Sequence, residues 1–420
     1  MTMNTSSKIS IAAALLTFCG ARSAAAQTVA PTVNCVDGAR SNVVYVAGST
    51  ALRPFLSVVA PLMAADNPAY SIVYQSQGSC VGVAAIFDND ANKRIIKDIP
   101  AAGSKPANYA VFFKADGTTQ ECFLDTTGAG AGGTAWPTVD LGISDVFAKS
   151  CGYDAPPAGQ VVADYLGPVQ PMTFVVPSAS TQKAISAEAA YLAFGLGGSG
   201  AAPWIEPSLF FVRNASSGTQ QMISRAIGIP GNKWWGLDRG GSTQVRNGLK
   251  VILDAPTAEK SIGIVSTDIA DEERNNLRIL AFKGKGQSCS YLPDSTTNKR
   301  DKVNVRDGHY PIWGPVHLYA KTTGGLPNAS AGAFVGRFAT ARVDKSLLDA
   351  TITRSLVPQC AMRVSRTEEM GPLASFAPQF QCACYFDFKT NGATSCKACG
   401  GPADCPTSAP ACNFGYCEAR

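Results

Sequence analysis

Twice between residues 43 and 86 the chain passes from a short apolar strand through a glycine–serine loop into an apolar helix, and this repeat constrains the fold more than any other feature. Val43-Val44-Tyr45-Val46 predicts a strand and Gly48-Ser49-Thr50 a loop, after which Leu52, Phe55, Leu56, Val59 and Leu62 recur at helical spacing. Pro54 suits a first helical turn, whereas Pro61 predicts a kink. Tyr70 to Tyr74 reads as a second strand, followed by Gly78-Ser79 and an apolar helical start through Val83 to Ile86. A helix between two strands returns the chain to the same end of the sheet, so the second strand lies parallel to the first. An α/β fold with a mainly parallel sheet is expected.

Residues 88 to 139 break the rhythm, with Ala110 to Phe113 and Glu121 to Leu124 predicting a hairpin. Gly128, Gly130 and Gly133 satisfy a G-x-G-x-x-G pattern. Trp136-Pro137 and a strand-like run follow where a dinucleotide site needs a helix, so a plain glycine loop is expected. The rhythm resumes with strands at Val139 to Ile143, Met172 to Val176, Leu209 to Val212, Ser261 to Val265 and Pro311 to Tyr319. Helices are expected at Ala184 to Phe194, Gln220 to Ile227 and Ala333 to Ala339.

With 420 residues, 45% of them hydrophobic and 16% charged, the chain is too long for one core and apolar enough for two. The net charge of +5 is spread without a Lys/Arg run, which argues against nucleic acid as a partner. Lys8, the apolar run Ile9 to Phe18 and Ala24-Ala25-Ala26 before Gln27 read as a secretory signal peptide over residues 1–26. That run falls short of the roughly 20 residues of a membrane span. The mature protein is expected in the periplasm, secreted, or at the cell surface. Export makes sense of the 14 cysteines as disulfides rather than zinc ligands, although Cys396-x-x-Cys399 followed by Cys405 resembles a metal spacing. Beyond Cys19 thirteen remain, so one is free or bridges to another molecule. From Cys382 onward the helical and strand patterns stop, and a small disulfide-rich module is expected.

Three loops carry the chemistry: Gly48-Ser49-Thr50, Gly78-Ser79 and Ser216-Ser217-Gly218-Thr219, each following a strand and opening a helix. The first turn of a helix has unpaired N–H groups and a partial positive charge, hydroxyls add donors, and glycine lets an anion approach. Arg213 precedes the third loop, and its planar fork matches two oxygens of a tetrahedral oxyanion. One such loop is an ordinary helix cap; three of them, one with arginine, exceed what capping requires.

Gly48-Ser49-Thr50, Gln77-Gly78-Ser79-x-x-Gly82-Val83, Asp140 to Asp145 and Arg213-x-x-x-Ser217-Gly218-Thr219 stand in the order seen in the periplasmic phosphate-binding proteins of ABC importers, which the chain resembles over residues 40 to 345. Ser261-Ile262-Gly263-Ile264-Val265 and Tyr310-Pro311-Ile312 with Val316 to Tyr319 resemble that family's later strands. The resemblance implies a two-lobed periplasmic-binding-protein fold of type II, with phosphate or a similar oxyanion in the cleft and an importer permease as partner. Ser49, Thr50 and Ser79 would donate from the first lobe, and Ser217, Gly218 and Thr219 from the second. Arg213 would neutralise the anion, and Asp145 would accept the hydrogen of a protonated phosphate oxygen. The family's acid two places after the arginine is Ala215 here, Ala51 stands where an aromatic is common, and Cys80 replaces a serine or glycine.

The expected layout is a first lobe over 27–170 with an insertion at 88–139, a second lobe over 171–309, a return to the first over 310–381, and the tail over 382–420. A monomer without cofactor or metal is expected, and no enzyme: no G-x-S-x-G elbow or P-loop occurs, and His309 and His317 read as structural. Two other readings stay open: a surface or matrix interaction protein that has lost small-anion binding, and a secreted phosphatase-like hydrolase.

Overall fold

Alternation in the first strand sets the layers. In the computed structural model, which describes residues 30–36, 42–101, 107–124, 135–338 and 342–419, β1 (Val43–Gly48) turns Val44 and Val46 to one face and Ala47 to the other. Helix α1 (Arg53–Ala64), with Pro54 in its first turn, covers the former face through Phe55, Leu56 and Val59. Helix α2 (Ser79–Phe87) covers the latter through Val83 and Ile86. Between them β2 (Ser71–Ser76) lies parallel to β1, as the sequence predicts. The helix α1 continues through Pro61 to Ala64.

The hairpin β3 (Ala110–Phe113) and β4 (Thr119–Cys122) adds to the outer edge of β2. On the other side of β1 lies β5 (Leu141–Ser144), again parallel. Then comes β6 (Val161–Pro177), a 17-residue strand whose second half is buried throughout. The short β7 (Ala184–Ser186) forms where the sequence predicts the start of a helix. Helix α3 begins only at Ala187, because Ser186 caps it, and runs to Leu196.

Next are β8 (Phe210–Val212), α4 (Gly218–Ile227), β9 (Leu237–Asp238), α5 (Ser242–Lys250) and β10 (Ile262–Ser266). Strands β11 (Leu277–Ile279), β12 (Ala281–Lys283) and β13 (Trp313–Thr322) follow. The main sheet runs β4-β3-β2-β1-β5-β13-β6-β10-β8-β9, with β11 also on β6.

The sheet is mixed rather than mainly parallel, which corrects the sequence expectation. Parallel runs β2-β1-β5 and β10-β8-β9 are joined by β13 and β6, which are antiparallel to each other and to their outer neighbours. Strand β13 runs against β2-β1-β5 and β6 runs against β10-β8-β9, a reversal that helical periodicity elsewhere in the chain does not reveal. Phe174, Phe194, Phe210, Met222 and Ile264 pack on one face of the β6-β10-β8 region, and Val175, Phe211, Val245 and Val265 on the other.

The tail also departs from expectation. Residues Ala383–Asn391 form a helix that inserts Tyr385 and Phe386 into the same core as Phe174 and Val357, so packing as well as cross-linking holds it. The Ala333 to Ala339 helix lies at Ala329–Val335, started by Asn328 accepting from the Ala331 N–H. Residues 1–26, expected to be a signal peptide, and Gly128 to Gly133, expected to be a loop, fall outside the described residues. Among the described residues no helix is long and apolar enough to cross a membrane.

Six disulfides form among the described residues: Cys35–Cys122, Cys80–Cys151, Cys360–Cys382, Cys384–Cys396, Cys399–Cys412 and Cys405–Cys417. Cys399, Cys405 and Cys417 lie within 4.8 Å of one another, but each sulfur is already bonded in a disulfide. Cys289 is the one free, exposed thiol among the described residues.

Two outcomes follow from this packing. Alkylation of the folded protein without reductant should label Cys289 and no paired cysteine, read by peptide mass mapping. Phe386→Ala should lower unfolding stability by about 3–5 kcal/mol in denaturant titration, the scale of a large-to-small change in a packed core. A tail attached by disulfides alone would show no such loss.

Candidate functional site

Loops at the ends of four strands, β1, β2, β5 and β8, meet here, and the centre of the meeting point is a buried carboxylate. Asp145 follows β5 and is 1% exposed. Its Oδ2 accepts from Ser49 Oγ at 2.6 Å and from Ser79 Oγ at 3.0 Å, while its backbone N–H donates to Ser79 Oγ at 3.2 Å. Its Oδ1 is buried and has no partner among the described residues. Burial pushes the Asp145 carboxyl above the ordinary range, opposed by the two serine bonds and by the charge of Arg213.

Local structure dictates each placement. Ser49 caps the 3-10 turn Thr50–Leu52, accepting from the Ala51 N–H at 3.2 Å. Gly48 before it has φ +143°, and a Cβ there would fall 1.9 Å from the Ile143 carbonyl oxygen. Only glycine lets β1 approach β5 this closely, which brings Ser49 to Asp145. Ser79 is the first residue of α2. The Cys80–Cys151 disulfide ties that helix start to the segment after Asp145, so the cysteine that departs from the family pattern acts as a local brace.

The second set comes from α4. Ser217 caps it and is 1% exposed, and Thr219 is equally buried, its hydroxyl unpartnered among the described residues. A Cβ on Gly218 would sit 2.2 Å from Ser79 Oγ and 2.6 Å from Asp145 Oδ2, so the helix terminus lies directly against the carboxylate. That contact places the positive end of α4 beside a negative group.

Arg213 is 2% exposed. Its Nε donates to the Gly240 carbonyl at 2.6 Å, Nη1 to Ser242 Oγ, and Nη2 to Thr50 Oγ1 at 2.6 Å. It forms no ion pair among the described residues, and Ala215, where the family pattern has an acid, is exposed. Burial pulls the guanidinium pKa down to about 10, opposed by the charges of Asp145 and Asp238, so it remains cationic at neutral pH.

All eight predicted residues, Ser49, Thr50, Ser79, Asp145, Arg213, Ser217, Gly218 and Thr219, therefore belong to one cluster or its immediate contacts. The loops also bond to each other: the Cys80 N–H donates to the Ser216 carbonyl at 3.0 Å, and Ser216 Oγ donates to the Gln77 carbonyl at 3.1 Å. Thr50 was expected to face an anion; here its oxygen accepts from Arg213. A cavity of about 680 Å³ lies alongside, bordered by Ala215, Gln221, Arg225 and Asn232, and none of the eight lines it.

Sequence reasoning missed Ser242, Gly240 and Gln220, whose Oε1 accepts from the Arg213 N–H at 2.8 Å. The signal was present: Gly240-Gly241-Ser242 precedes α5, the same glycine–serine entry into a helix as the other loops. His317 is fully buried, with Nδ1 2.8 Å from Asp164 and its ring stacked on Tyr319. His309 stacks on Tyr291.

No family model matches the chain, and no curated protein matches it. Among solved structures it is similar to a protein from Clostridium perfringens described as a phosphate ABC transporter substrate-binding protein with bound phosphate, at 13% identity and TM-score 0.47, covering 75% of this chain and 99% of that one. It is also similar to an ABC-type phosphate transport receptor from Vibrio cholerae, at 12% identity and TM-score 0.44, covering 75% and 99%. A human phosphate-binding apolipoprotein is similar at 16% identity and TM-score 0.45, covering 75% and 90%. The likeness is one of fold.

The contact at Gly218 makes a direct test. Gly218→Ala should separate α4 from Ser79 and Asp145 and lower stability by about 1–3 kcal/mol, as overpacking does. Thermal unfolding of the variant checks this, and an unchanged melting temperature would mean the loops are not in contact.

Proposed function

We propose that the chain is an exported solute-binding protein that captures phosphate or a related oxyanion between two lobes, for uptake through an importer permease or for sensing. The observation that carries this reading is the balance of unused hydrogen-bonding groups at the cluster. Among the described residues, Arg213 has three of its five N–H groups engaged, which leaves one on each terminal nitrogen. The Thr219 hydroxyl is unpartnered, while the one unpartnered acceptor of Asp145 is a buried carboxylate oxygen. Several donors around a single free acceptor suit an oxyanion that keeps one proton, which hydrogenphosphate does and sulfate near neutral pH does not.

The positive terminus of α4 and the buried Arg213 charge support the same assignment. The rival is an interaction protein on the same fold, favoured by the direct bonds from Arg213 to Thr50 and from Ser216 to Gln77, through which the loops already satisfy each other.

Calorimetric titration with phosphate and sulfate separates these. The wild type should bind phosphate and exclude sulfate. Arg213→Ala should lose about 2–5 kcal/mol of phosphate binding, and Arg213→Lys should recover only part, because a point charge cannot reproduce the fork. Asp145→Asn should keep phosphate and gain sulfate, since the amide relieves repulsion and can still accept from Ser49 and Ser79. No heat with phosphate at millimolar concentration would favour the interaction protein.

A further inference from the structure

Burying a guanidinium is costly unless its donors are met, and in protein interiors a carboxylate commonly meets them. Arg213 is held otherwise. Its three engaged N–H groups go to the Gly240 carbonyl, the Ser242 hydroxyl and the Thr50 hydroxyl, all of them uncharged. Ser242 is 2% exposed and is the first residue of α5, whose N-cap Gly241 has no side chain to offer. The serine hydroxyl faces Arg213 from one strand-to-helix entry, and Thr50 faces it from another.

These three acceptors fix the plane of the guanidinium. With Nε tied to Gly240 and one hydrogen on each terminal nitrogen tied to Ser242 and Thr50, the remaining two hydrogens form a two-pronged donor on the rigid fork. Resting on the oxyanion reading above, we propose that Ser242 is a positioning residue for the ligand. Its hydroxyl orients Arg213 as a bidentate donor to a tetrahedral oxyanion and, being uncharged, leaves the cation's charge to the ligand. Thr50 closes the same arrangement from the opposite loop.

The test is isothermal titration of inorganic phosphate into the full mature chain carrying Ser242→Ala, with thermal melts alongside. Ser242→Ala should weaken phosphate about tenfold, the scale of one charge-assisted hydrogen bond. Ser242→Thr should restore affinity to within about threefold, because it keeps the hydroxyl. In an Arg213→Lys background Ser242→Ala should have no further effect, because the lysine has no fork to orient; a serine that only supports α5 would weaken binding equally in both backgrounds. Ser242→Cys, which keeps the volume but loses the strong acceptor, serves should the alanine variant not fold, and the same loss is expected of it. Wild-type affinity in Ser242→Ala or Ser242→Cys, or an equal loss in the Arg213→Lys background, overturns the role of Ser242 while the oxyanion site stands. A wild-type protein that does not bind phosphate overturns both.

Discussion

The buried carboxylate of Asp145 is the interaction around which the other parts of the cluster are arranged. A charge taken out of water must be met by hydrogen bonds or by an opposite charge. Ser49 and Ser79 meet one oxygen, and the N-terminus of α4 presses against the same oxygen at Gly218. Arg213 lowers the cost from a distance without forming an ion pair. These groups come from three strand-to-helix loops, Arg213 and Gly218 sharing one, so satisfying one carboxylate brings three loops together. The glycine at position 48 and the disulfide Cys80–Cys151 then read as requirements of that arrangement, one allowing close approach and the other preventing drift.

The sheet explains why those loops can converge at all. In parallel strands the helix entries fall at one end, so β1 and β5 deliver Ser49 and Asp145 side by side. In the other run of strands the parallel pair β8 and β9 does the same, with β8 leading to Arg213 and the start of α4 and β9 to Ser242. What turns the two runs toward each other is the antiparallel pair β6 and β13, which joins them through one continuous hydrogen-bonded path. Both faces of the second half of β6 are buried, so this junction is held by packing on either side.

Much of this was legible in the chain because the relevant signals are local. Alternation in β1 and helical spacing in α1 follow from residues a few places apart, and the three glycine–serine loops were visible for the same reason. The first half of β6 was not, because Val161 to Leu166 mixes exposed and half-buried positions and carries Asp164. Its strand character comes from pairing with β13, more than a hundred residues later. Ser242 carries the same glycine–serine signal at Gly240-Gly241-Ser242, but its contact is with Arg213, 29 residues earlier, and that pairing no local pattern records. The helix at Ala383–Asn391 escaped because cysteines dominate its surroundings; its two core aromatics, Tyr385 and Phe386, carry no helical periodicity by themselves.

The C-terminal segment gives the cluster an outer support that the loops alone lack. Glu369 accepts from the Phe147 N–H at 2.7 Å and from the Ser150 hydroxyl, which bracket the turn between Asp145 and Cys151. Nearby, Arg366 lies 4.0 Å over the Trp313 ring and donates to the Pro311 carbonyl at 2.8 Å, at the start of β13. The Cys360–Cys382 disulfide and the core contacts of Tyr385 and Phe386 fix both ends of this segment. A carboxylate that must present one oxygen in a fixed direction gains from such bracing, because a loop free to swing would turn Oδ1 toward other donors. The cysteine-rich tail thus reaches the cluster through Glu369: it secures a segment whose buried carboxylate accepts two hydrogen bonds from the turn after Asp145.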